Sequence, residues 1–291
     1  MYPPAFNYSA PTSVEEVLAT LAKEGEGARV LAGGQSLIPM MKLRLASPSY
    51  LVDINDVDGL DYITDVNGHV AIGALVRHND IVKSELIGST NHAMTDAAPW
   101  IADPIVRNRG TVCGSIAHCD PEGDWNSVML AARAEVVAQS AAGERVIPID
   151  DFIVDFFTNS LEPGEIVKEV RVPKYTGRGG GAYVKLERKI GDYATVGVAT
   201  QLELGDDGKI AKAGIAMTAV NSKNTRAAAA EQVLVGETPS DELFREAGNA
   251  AAQASEPETN VRGTEEWKRE VVSVYTRRGL ETALAQAQAQ A

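Results

Sequence analysis

Two short stretches of small residues have the composition of a phosphate-binding site. The first, Arg29–Ser36, reads Arg-Val-Leu-Ala-Gly-Gly-Gln-Ser, and the second, Arg109–Ser115, reads Arg-Gly-Thr-Val-Cys-Gly-Ser. Gly33 and Gly34 have no side chains, so a ligand can lie directly on the main chain and the backbone amides can face it. Roughly half of such glycine pairs are only tight turns. Two stretches of this kind in one chain are candidates for holding one pyrophosphate between them.

The first stretch needs a strand before it and a helix after it. The apolar run 30–32 predicts a short buried strand that ends at the glycines. We expect Ser36 to cap a helix over about residues 37–45, with Pro39 in the first turn, where its missing N–H has no effect. A strand, a glycine turn and a helix N-terminus form an arrangement that binds anions through backbone amides.

The composition excludes some classes of protein. The chain has 291 residues, 44% of them hydrophobic, which is enough for a substantial core. Its formal charge of −13 argues against a nucleic-acid surface, which needs a concentrated basic face. An anionic cofactor must therefore be held locally by oriented amides. No apolar run approaches the roughly 18 residues of a membrane span, and the N-terminus does not resemble a signal peptide, so we predict a cytoplasmic protein.

The cysteines indicate no metal centre. Cys113 and Cys119 are too few for an iron–sulphur cluster, which takes four thiolates. With His118 between them they suggest zinc, but their spacing matches no standard site. We interpret them as small buried thiols beside a cofactor. His118 is interpreted as a hydrogen-bonding loop residue rather than a catalytic base.

Hydrophobic periodicity and turn signals indicate an α+β chain in two domains. The pattern predicts strands near residues 30–32, 50–54, 63–68, 70–73, 135–139, 146–148, 166–173, 182–188, 195–204 and 210–220, with helices near 13–25, after 79, 93–101, 124–134, after 238 and after 264. Gly177–Gly181 is interpreted as a flexible interruption that separates domain 1–176, with subdomains of about 1–55 and 56–176, from domain 177–291. The Gln-Ala tail, 285–291, is predicted to be disordered.

With both stretches in view, the sequence resembles a known family. The FAD-binding medium subunits of molybdenum hydroxylases, in the xanthine oxidase family, have two FAD loops that read approximately Ala-Gly-Gly-His-Ser and Thr-Ile-Gly-Gly-Asn. The opening Tyr2–Tyr8 and the run Ile116–Asp124 extend the resemblance to nearly the whole chain, which looks most like the medium subunits of aerobic carbon monoxide dehydrogenases. The chain departs from the family loops at Gln35, Cys113 and Ser115, and none of these changes removes a backbone amide.

The resemblance implies a fold, a cofactor and a set of site residues. The implied fold is a two-part FAD-binding domain of the vanillyl-alcohol oxidase/PCMH type, followed by a small domain with a three-stranded antiparallel sheet and helices. The implied cofactor is FAD, with no catalytic side chain and no metal on this chain. The residues that would contact FAD are Arg29, Val30, Leu31, Ala32, Gly33, Gly34, Gln35, Ser36, Ile101, Thr111, Cys113, Gly114, Ser115, Asp124, Val167, Lys185 and Tyr193.

Five of these positions have roles by resemblance and a plainer alternative. Asp124 matches an aspartate that contacts the hydroxylated chain of the flavin, and its alternative is a helix N-cap. Lys185 matches a cation that approaches the isoalloxazine ring and raises its potential, whereas strand lysines are often simply exposed. Tyr193 matches a tyrosine that covers one face of the ring, or it is an ordinary turn residue. Ile101 and Val167 match pocket positions, but aliphatic residues usually fill the core.

The resemblance also implies a function with partners. The chain would be the electron-transfer subunit of a molybdenum hydroxylase, first of all aerobic carbon monoxide dehydrogenase, which converts CO and water to CO2. It would take electrons from a [2Fe-2S] small subunit, itself supplied by a molybdenum-binding large subunit in a dimer of heterotrimers, and pass them to quinone or another acceptor. The alternatives are the medium subunit of an aldehyde, purine, nicotinate or hydroxybenzoyl-CoA hydroxylase, and a non-redox nucleotide-binding or assembly module. A bound yellow chromophore distinguishes the redox classes from the last.

Overall fold

A computed structural model describes residues 2–290 of the chain. The strands in this range form sheets of three, five and four strands and one two-stranded hairpin. Short helices connect most of the strands, as the alternating pattern predicts. Within this range, no helix is both long enough and apolar enough to cross a membrane.

The first sheet carries the first glycine loop at the end of an edge strand. Its elements are β1 (Asn7–Ser9), α1 (Val14–Glu24), β2 (Ala28–Leu31), α2 (Leu37–Lys42) and β3 (Tyr50–Asp53). The strands are parallel in the order β1-β3-β2, which confirms the predicted βαβ unit and adds a strand to it. Ser13 caps α1 by accepting from the Glu16 amide, and Gly25 ends it at a φ of 62°. Val17 and Leu18 of α1 pack beneath the sheet with Val52.

The second sheet is antiparallel and forms the floor of the second loop. The next strands are β4 (Ile63–Val66), β5 (His69–Gly73), β6 (Glu135–Ser140), β7 (Gly143–Pro148), β8 (Ile153–Asp155), β9 (Thr158–Asn159) and β10 (Ile166–Pro173). Five of them pair in the order β4-β5-β10-β6-β7, and β8 with β9 form the small hairpin. Asn67 and Gly68 have φ angles of 45° and 87°, which confirms the predicted turn between β4 and β5.

Seven short helices lie between β5 and β8 in the sequence. They are α3 (His78–Lys83), α4 (Glu85–Thr90), α5 (His92–Ala97), α6 (Pro104–Arg107), α7 (Val112–His118), α8 (Asp124–Ala132) and α9 (Ile149–Phe152). Four of them, α4, α7, α8 and α9, pack on this sheet. The predicted helix over 93–101 is shorter than expected, because α5 gives way to a 3-10 turn at Ala98–Trp100 that contains Pro99. Met94, Ile116 and Trp125 from three of these helices are completely buried in one core.

The third sheet closes the chain. Its elements are β11 (Arg178–Glu187), β12 (Ala194–Leu204), β13 (Ile210–Thr218), β14 (Thr225–Arg226), α10 (Ala228–Leu234), α11 (Asp241–Gln253) and α12 (Glu265–Gln288). The three long strands are antiparallel as predicted, and β14 adds a short fourth. Helices α5 and α8 pack on one part of this sheet and α12 packs on β11 and β12. The third sheet therefore shares a core with the second through Tyr183, Ala199 and Ala216.

The glycine run before the third sheet is not the flexible linker that we predicted. Gly179–Gly181 are buried and lie inside β11. A Cβ atom at Gly180 would lie 2.8 Å from the carbonyl carbon of Ala283 in α12. The glycines therefore let the last helix lie against the strand backbone, which composition alone cannot indicate. The domain division at residue 177 stays a prediction.

The Gln-Ala tail is ordered, so the predicted disorder is wrong for residues 285–290. Helix α12 continues to Gln288, and Ala287 is buried. The Gln286 side chain accepts a hydrogen bond from the Gly181 amide at 2.9 Å, and Gln290 donates to the Gly179 carbonyl at 2.8 Å. The small alanines thus let α12 lie close to the glycine residues of β11, and the glutamine amides hydrogen-bond to the backbone of that strand. Ala291 lies outside the described residues.

The helix predicted over about residues 37–45 begins at Leu37 as expected but ends at Lys42, and the start predicted for α11 is wrong. Ser36 stands at the N-cap of α2, but its hydroxyl accepts no capping hydrogen bond. The predicted capping box begins at Thr238, whereas the cap of α11 is Ser240, which accepts from the Leu243 amide at 3.2 Å. Pro239 therefore precedes the helix instead of opening it, because the two acidic residues that favour the first turn come only after Ser240.

Candidate functional site

One cleft of about 1420 Å³ runs along the two loops and reaches the third sheet. It exceeds the roughly 300–1,000 Å³ that is usual for small-molecule pockets, so it has room for a dinucleotide. Every residue predicted to contact the cofactor lines this cleft: Arg29, Val30, Leu31, Ala32, Gly33, Gly34, Gln35, Ser36, Ile101, Thr111, Cys113, Gly114, Ser115, Asp124, Val167, Lys185 and Tyr193. The fold thus brings together positions from distant parts of the sequence.

The first loop has unoccupied hydrogen-bond donors. Within residues 2–290, the backbone amides of residues 33–37 have no acceptor. Gly34 has a φ of 71°, a left-handed conformation that suits glycine. Because Ser36 makes no capping bond, the Leu37 amide at the start of α2 also stays free, whereas the Ile38 amide donates to the Gly34 carbonyl at 3.1 Å. Five successive amides that find no acceptor in the described part of the chain, at one side of a cleft, suit the binding of an anion.

The strand before this loop forms a wall of the cleft. Residues 30–32 are partly buried and supply its apolar surface. The Arg29 guanidinium turns back and donates to the carbonyls of Glu26 at 2.9 Å and Ala28 at 2.7 Å. Gln35 is exposed and donates to a carbonyl of its own loop at 3.2 Å. Arg29 therefore contributes mainly backbone and side-chain stem to the cleft, and its charge is bound elsewhere.

The second loop uses its own side chain to satisfy its amides. The Thr111 hydroxyl caps α7 by accepting from the Gly114 amide at 3.1 Å, and the Ser115 amide donates to the Thr111 carbonyl at 3.1 Å. The Cys113 thiol is buried and donates to the Ile72 carbonyl at 3.4 Å, and burial raises its pKa. The cysteine that departs from the family pattern thus points into the core and leaves the loop backbone on the cleft.

The backbones of the two loops touch. A Cβ atom added to Gly33 would lie 2.6 Å from the Gly110 Cα and within 3.0 Å of the Arg109 carbonyl. No side chain larger than hydrogen can stand at Gly33 unless one backbone moves. The glycine is therefore required by the contact between the loops, in addition to any contact with a ligand.

Two polar side chains hold the loops in this position. Asn55 donates to the Ala32 carbonyl of the first loop at 2.8 Å. Arg77 donates to the Asn55 side-chain oxygen at 2.7 Å and to the Arg109 carbonyl of the second loop at 2.6 Å. Burial, followed by the nearby charge of Arg109, lowers the pKa of the Arg77 guanidinium. Arg77 and Asn55 together form a clamp across both loops, and neither was among the predicted site residues.

A buried histidine supports the second loop from below. The His78 amide donates to the Gly110 carbonyl at 3.0 Å, and Nδ1 of its ring accepts from the Trp125 indole at 2.9 Å. Burial, and then the charges of Arg107 and Arg77, lower the pKa of His78 to about 4. The ring is therefore neutral at neutral pH.

A buried charge cluster lies at the third-sheet end of the cleft. The Lys185 ammonium contacts the Asp124 carboxylate at 3.0 Å, the Trp100 carbonyl at 3.1 Å and the Glu187 carboxylate at 3.6 Å. The Tyr183 hydroxyl donates to the other Asp124 oxygen at 2.5 Å. The Lys185 side chain is only 1% exposed, so the alternative of an exposed strand lysine is wrong. Several polar partners thus surround the buried Lys185 ammonium at this end of the cleft.

Asp124 is the first residue of α8, and Gly123 occupies the N-cap position. The N-cap alternative for Asp124 is therefore wrong by one residue, although a carboxylate in the first turn still suits the helix dipole. Burial raises the pKa of Asp124, and the charge of Lys185 opposes this effect. Its remaining lone pairs are available to a hydroxylated ligand in the cleft.

The remaining predicted contacts lie around this cluster. Tyr193 is 50% exposed at the rim of the cleft, so it is a surface residue with one side on the cavity. Ile101 is partly buried, and Val167 is almost completely buried in the core of the second sheet. Val167 therefore fills the core as well as lining the cleft.

The two cysteines are structural, whereas the loop position expected for His118 is wrong, because His118 is the last residue of α7. Cys113 and Cys119 are both free and buried, which confirms their interpretation as small buried thiols. The Cys119 thiol donates to the Ile116 carbonyl at 3.3 Å. The His118 ring lies 4.8 Å from the ring of Phe157, centroid to centroid. His118 thus lines the cleft as part of an aromatic contact.

The comparison with protein families decides the identity of the site. Residues 4–175 match the FAD binding domain in molybdopterin dehydrogenase, and residues 181–283 match the CO dehydrogenase flavoprotein C-terminal domain. The chain belongs to this family. It is a medium, FAD-binding subunit of the molybdenum hydroxylase type, and FAD is its cofactor.

Relatives cover nearly the whole of this medium subunit. It is 40% identical over 287 residues to the 6-hydroxypseudooxynicotine dehydrogenase complex subunit alpha of Paenarthrobacter nicotinovorans, spanning 99% of this chain and 97% of the relative. It is 38% identical over 285 residues to the carbon monoxide dehydrogenase medium chain of Hydrogenophaga pseudoflava, spanning 98% and 99%. A solved chain of the carbon monoxide dehydrogenase of that organism, in a form lacking the Mo-pyranopterin moiety, matches with a TM-score of 0.94 at 40% identity, covering 98% and 99%.

The residues present fit the FAD of this family. Free amides at residues 33–37 suit a pyrophosphate, and the cleft is long enough to reach from them to the buried Lys185. The residues missed by sequence reasoning are Asn55, Arg77, His78 and Glu187. Their roles arise from contacts between positions far apart in the chain, and no motif marks them.

Proposed function

We propose that this medium subunit is the electron exit of its complex: it receives electrons on FAD from an iron–sulphur partner and passes them to quinone or another acceptor. FAD, once bound, supplies a carrier for this electron transfer. The observation that carries the proposal is the combination, in one cleft, of an anion site at residues 33–37 and a fixed buried cation at Lys185, 3.0 Å from Asp124.

Each group in the cleft has a task in this proposal. The amides of residues 33–37 hold the pyrophosphate. Asp124 accepts hydrogen bonds from the hydroxylated chain with the lone pairs that Tyr183 and Lys185 leave free. Lys185 provides positive charge near the ring, which favours the reduced state, and Tyr193 covers one face and excludes water.

The proposal includes partner chains. A molybdenum-binding large subunit and a [2Fe-2S] small subunit would complete a heterotrimer, and two heterotrimers would form the complex. The names of the relatives, a complex subunit alpha and a medium chain, support an assembly of this kind. The two cysteines of this chain are too few for a cluster of its own. We place the complex in the cytoplasm, with contact to the inner face of the membrane through its partners.

Carbon monoxide is the first substrate to test, and 6-hydroxypseudooxynicotine is the second. The named relatives are 38% and 40% identical, so similarity of the medium subunit supports both about equally. Aldehydes, purines, nicotinate and hydroxybenzoyl-CoA follow as substrates of the wider class. In this proposal the substrate is chosen on another chain, because the cleft described above is the site for FAD.

Anaerobic reduction of the FAD-loaded chain tests the proposal. Dithionite should bleach the flavin of the isolated chain, whereas none of the candidate substrates should do so until both partner subunits are added. Bleaching by a substrate without partners would contradict the electron-exit role. Acid precipitation should release the colour, since FAD is held without a covalent bond in this proposal.

A pair of lysine variants tests the role of the cation. Lys185→Gln should move the midpoint potential of the bound flavin to a more negative value, because a buried positive charge beside the ring is lost. Lys212→Gln is the control, since Lys212 is 58% exposed on the third sheet. An unchanged midpoint potential in Lys185→Gln would show that Lys185 does not lie close enough to the flavin ring to act on it.

A further inference from the structure

An arginine from the C-terminal part of the chain reaches the rim of the cleft. Arg262 lies in the connection between α11 and α12. Its Nη1 donates to the Tyr193 carbonyl at 2.8 Å and to the Ala194 carbonyl at 3.3 Å. The contact joins residues 69 positions apart in the sequence. One side chain thus holds the backbone at the end of the loop that carries Tyr193.

Two carboxylates surround the same guanidinium. Nη2 of Arg262 lies 3.5 Å from Asp192 and 3.8 Å from Glu122, which stands two residues before Asp124. Both distances are longer than a good hydrogen bond, so the 2.8 Å bond to Tyr193 fixes the geometry and the carboxylates add attraction. The Arg262 side chain is 18% exposed, so water screens these pairs only in part.

The turn that presents Arg262 is itself fixed. Asn260 and Gly263 exchange backbone hydrogen bonds of 3.0 and 3.1 Å, and Gly263 has a φ of 155° that favours glycine. The buried Lys268 of α12 donates to the Asn260 side chain at 3.1 Å and to the Glu258 carbonyl at 2.8 Å. The guanidinium therefore stands on a rigid support at the start of the last helix.

The loop that Arg262 holds has little support of its own. Residues 188–193 connect β11 to β12, and Ile190 at its tip is 96% exposed. The Gly191 amide donates to Glu187 at 3.2 Å, and Arg188 pairs with Asp192 at 3.4 Å within the loop. A loop with so exposed a tip opens locally at low free energy unless it is tied from outside.

We propose that Arg262 is a positioning residue for the flavin site: it fixes Tyr193 over the ring by bonding to the Tyr193 carbonyl. The consequence for the ring rests on the proposed function, whereas the anchoring of the loop does not. The connection between α11 and α12 thereby controls how the flavin is covered.

The experiment compares Arg262→Met and Arg262→Lys with Arg245→Met in the full chain. Arg245 is a suitable control because, among the residues that the structure describes, it pairs only with Glu242 on the exposed face of α11. Hydrogen exchange of the amides in residues 189–194 should quicken roughly tenfold or more in Arg262→Met, since a charge-assisted bond is lost. Exchange in β12 should stay unchanged, which shows that the sheet still folds. Arg262→Lys should restore part of the protection.

The FAD-loaded chain provides the second readout. The visible circular dichroism of the bound flavin should change in Arg262→Met, partly recover in Arg262→Lys and stay unchanged in Arg245→Met. Unaltered exchange in residues 189–194 would overturn the proposal, and so would faster exchange with an unaltered flavin signal. If the chain retained no flavin at all, the proposed function would fail while the exchange measurement would still test the anchor.

Discussion

In the loop at residues 33–37 five backbone amides have no acceptor within residues 2–290, whereas in the loop at residues 111–115 two amides bond to Thr111. Among the acceptors of residues 2–290, only the amides of Thr111 and Cys113 in this second loop find none. The two loops have similar compositions, and both precede a short helix. They differ in the residue that stands before that helix, since Thr111 caps α7 and Ser36 leaves α2 uncapped.

This difference separates two tasks that the sequence motifs present as one. In a capped loop the side chain of the cap stabilises the backbone, but the amides that bond to it cannot bind a ligand. In an uncapped glycine loop the amides stay available, but other residues must hold the loop in place. The support comes from Asn55 and Arg77, which bond to the first and second loop respectively. We therefore infer that the first loop binds the pyrophosphate and the second loop forms the opposing wall.

The largest effect is expected where the loops touch. Gly33→Asp should abolish flavin binding, because its side chain meets the Arg109 and Gly110 backbone and adds a negative charge beside the pyrophosphate. Gly33→Ala should also lose flavin and destabilise the chain by about 1–3 kcal/mol, since the Cβ alone already clashes. Flavin content and thermal unfolding measure both effects, and Gly88→Ala, with open space around it, is the control. A soluble Gly33→Asp chain with full flavin would place the cofactor elsewhere.

The next effect should follow removal of the clamp. Arg77→Met breaks the bonds to Asn55 and to the Arg109 carbonyl, and each charge-assisted bond contributes roughly 1.5–3 kcal/mol. FAD affinity should fall on the order of 100-fold while the fold persists. Fluorescence titration of the apo chain with FAD gives the dissociation constant, and Arg178→Met on the third sheet is the matched control. Unchanged affinity in Arg77→Met would show that the loops keep their positions without the clamp.

A moderate effect is expected from acid. His78 has a pKa of about 4 in the folded chain, against 6.5 ordinarily, so the unfolded chain takes up a proton first as the pH falls. Stability is therefore fully present above about pH 6.5 and is lost progressively down to about pH 4, with roughly 2 kcal/mol lost at pH 5. Urea unfolding at pH 7 and pH 5 should show a loss in the native chain and in His69→Gln that exceeds the loss in His78→Gln by roughly 2 kcal/mol. Some loss should remain in His78→Gln, because burial also lowers the pKa of His92 and of His118. An equal loss in His78→Gln would contradict it.

The smallest effects on stability are expected from substitutions of the two residues that precede helices α2 and α7. Thr111→Ala should destabilise the chain by about 1 kcal/mol, because the Gly114 amide loses its acceptor. Ser36→Ala should change stability by less than about 0.5 kcal/mol, since Ser36 makes no capping bond. Thermal unfolding of the apo chains compares the two. Equal losses would mean that the loops are built alike.

Local patterns predicted much of the fold. The spacing of Val17, Leu18 and Leu21 behind the Ser13 cap indicated α1, and the Asn67-Gly68 pair indicated the first hairpin. The residues that carry each signal lie within a few positions of one another, so each signal is visible in the sequence alone. The glycine loops were found for the same reason.

Sequence reasoning missed, or predicted wrongly, the features that depend on contacts between distant residues. Residues 177–181 were interpreted as a flexible interruption because they are rich in glycine, whereas residues 178–181 belong to β11 and their small size allows the close packing of α12. The tail at 285–290 was predicted to be disordered because alanine and glutamine bury little apolar surface, but its amides match the glycine strand. Arg77 in the clamp carries no local signature, since its partners lie 22 and 32 residues away.

The central claim is that the first loop, and not the second, binds the pyrophosphate through its amides. Nuclear magnetic resonance of the apo chain labelled with 15N-glycine tests this on titration with FAD. The Gly33 and Gly34 amide signals should shift strongly to the positions of hydrogen-bonded donors, while Gly114, already bonded to Thr111, should shift little. Strong shifts at Gly114 with Gly33 and Gly34 unchanged would contradict the account.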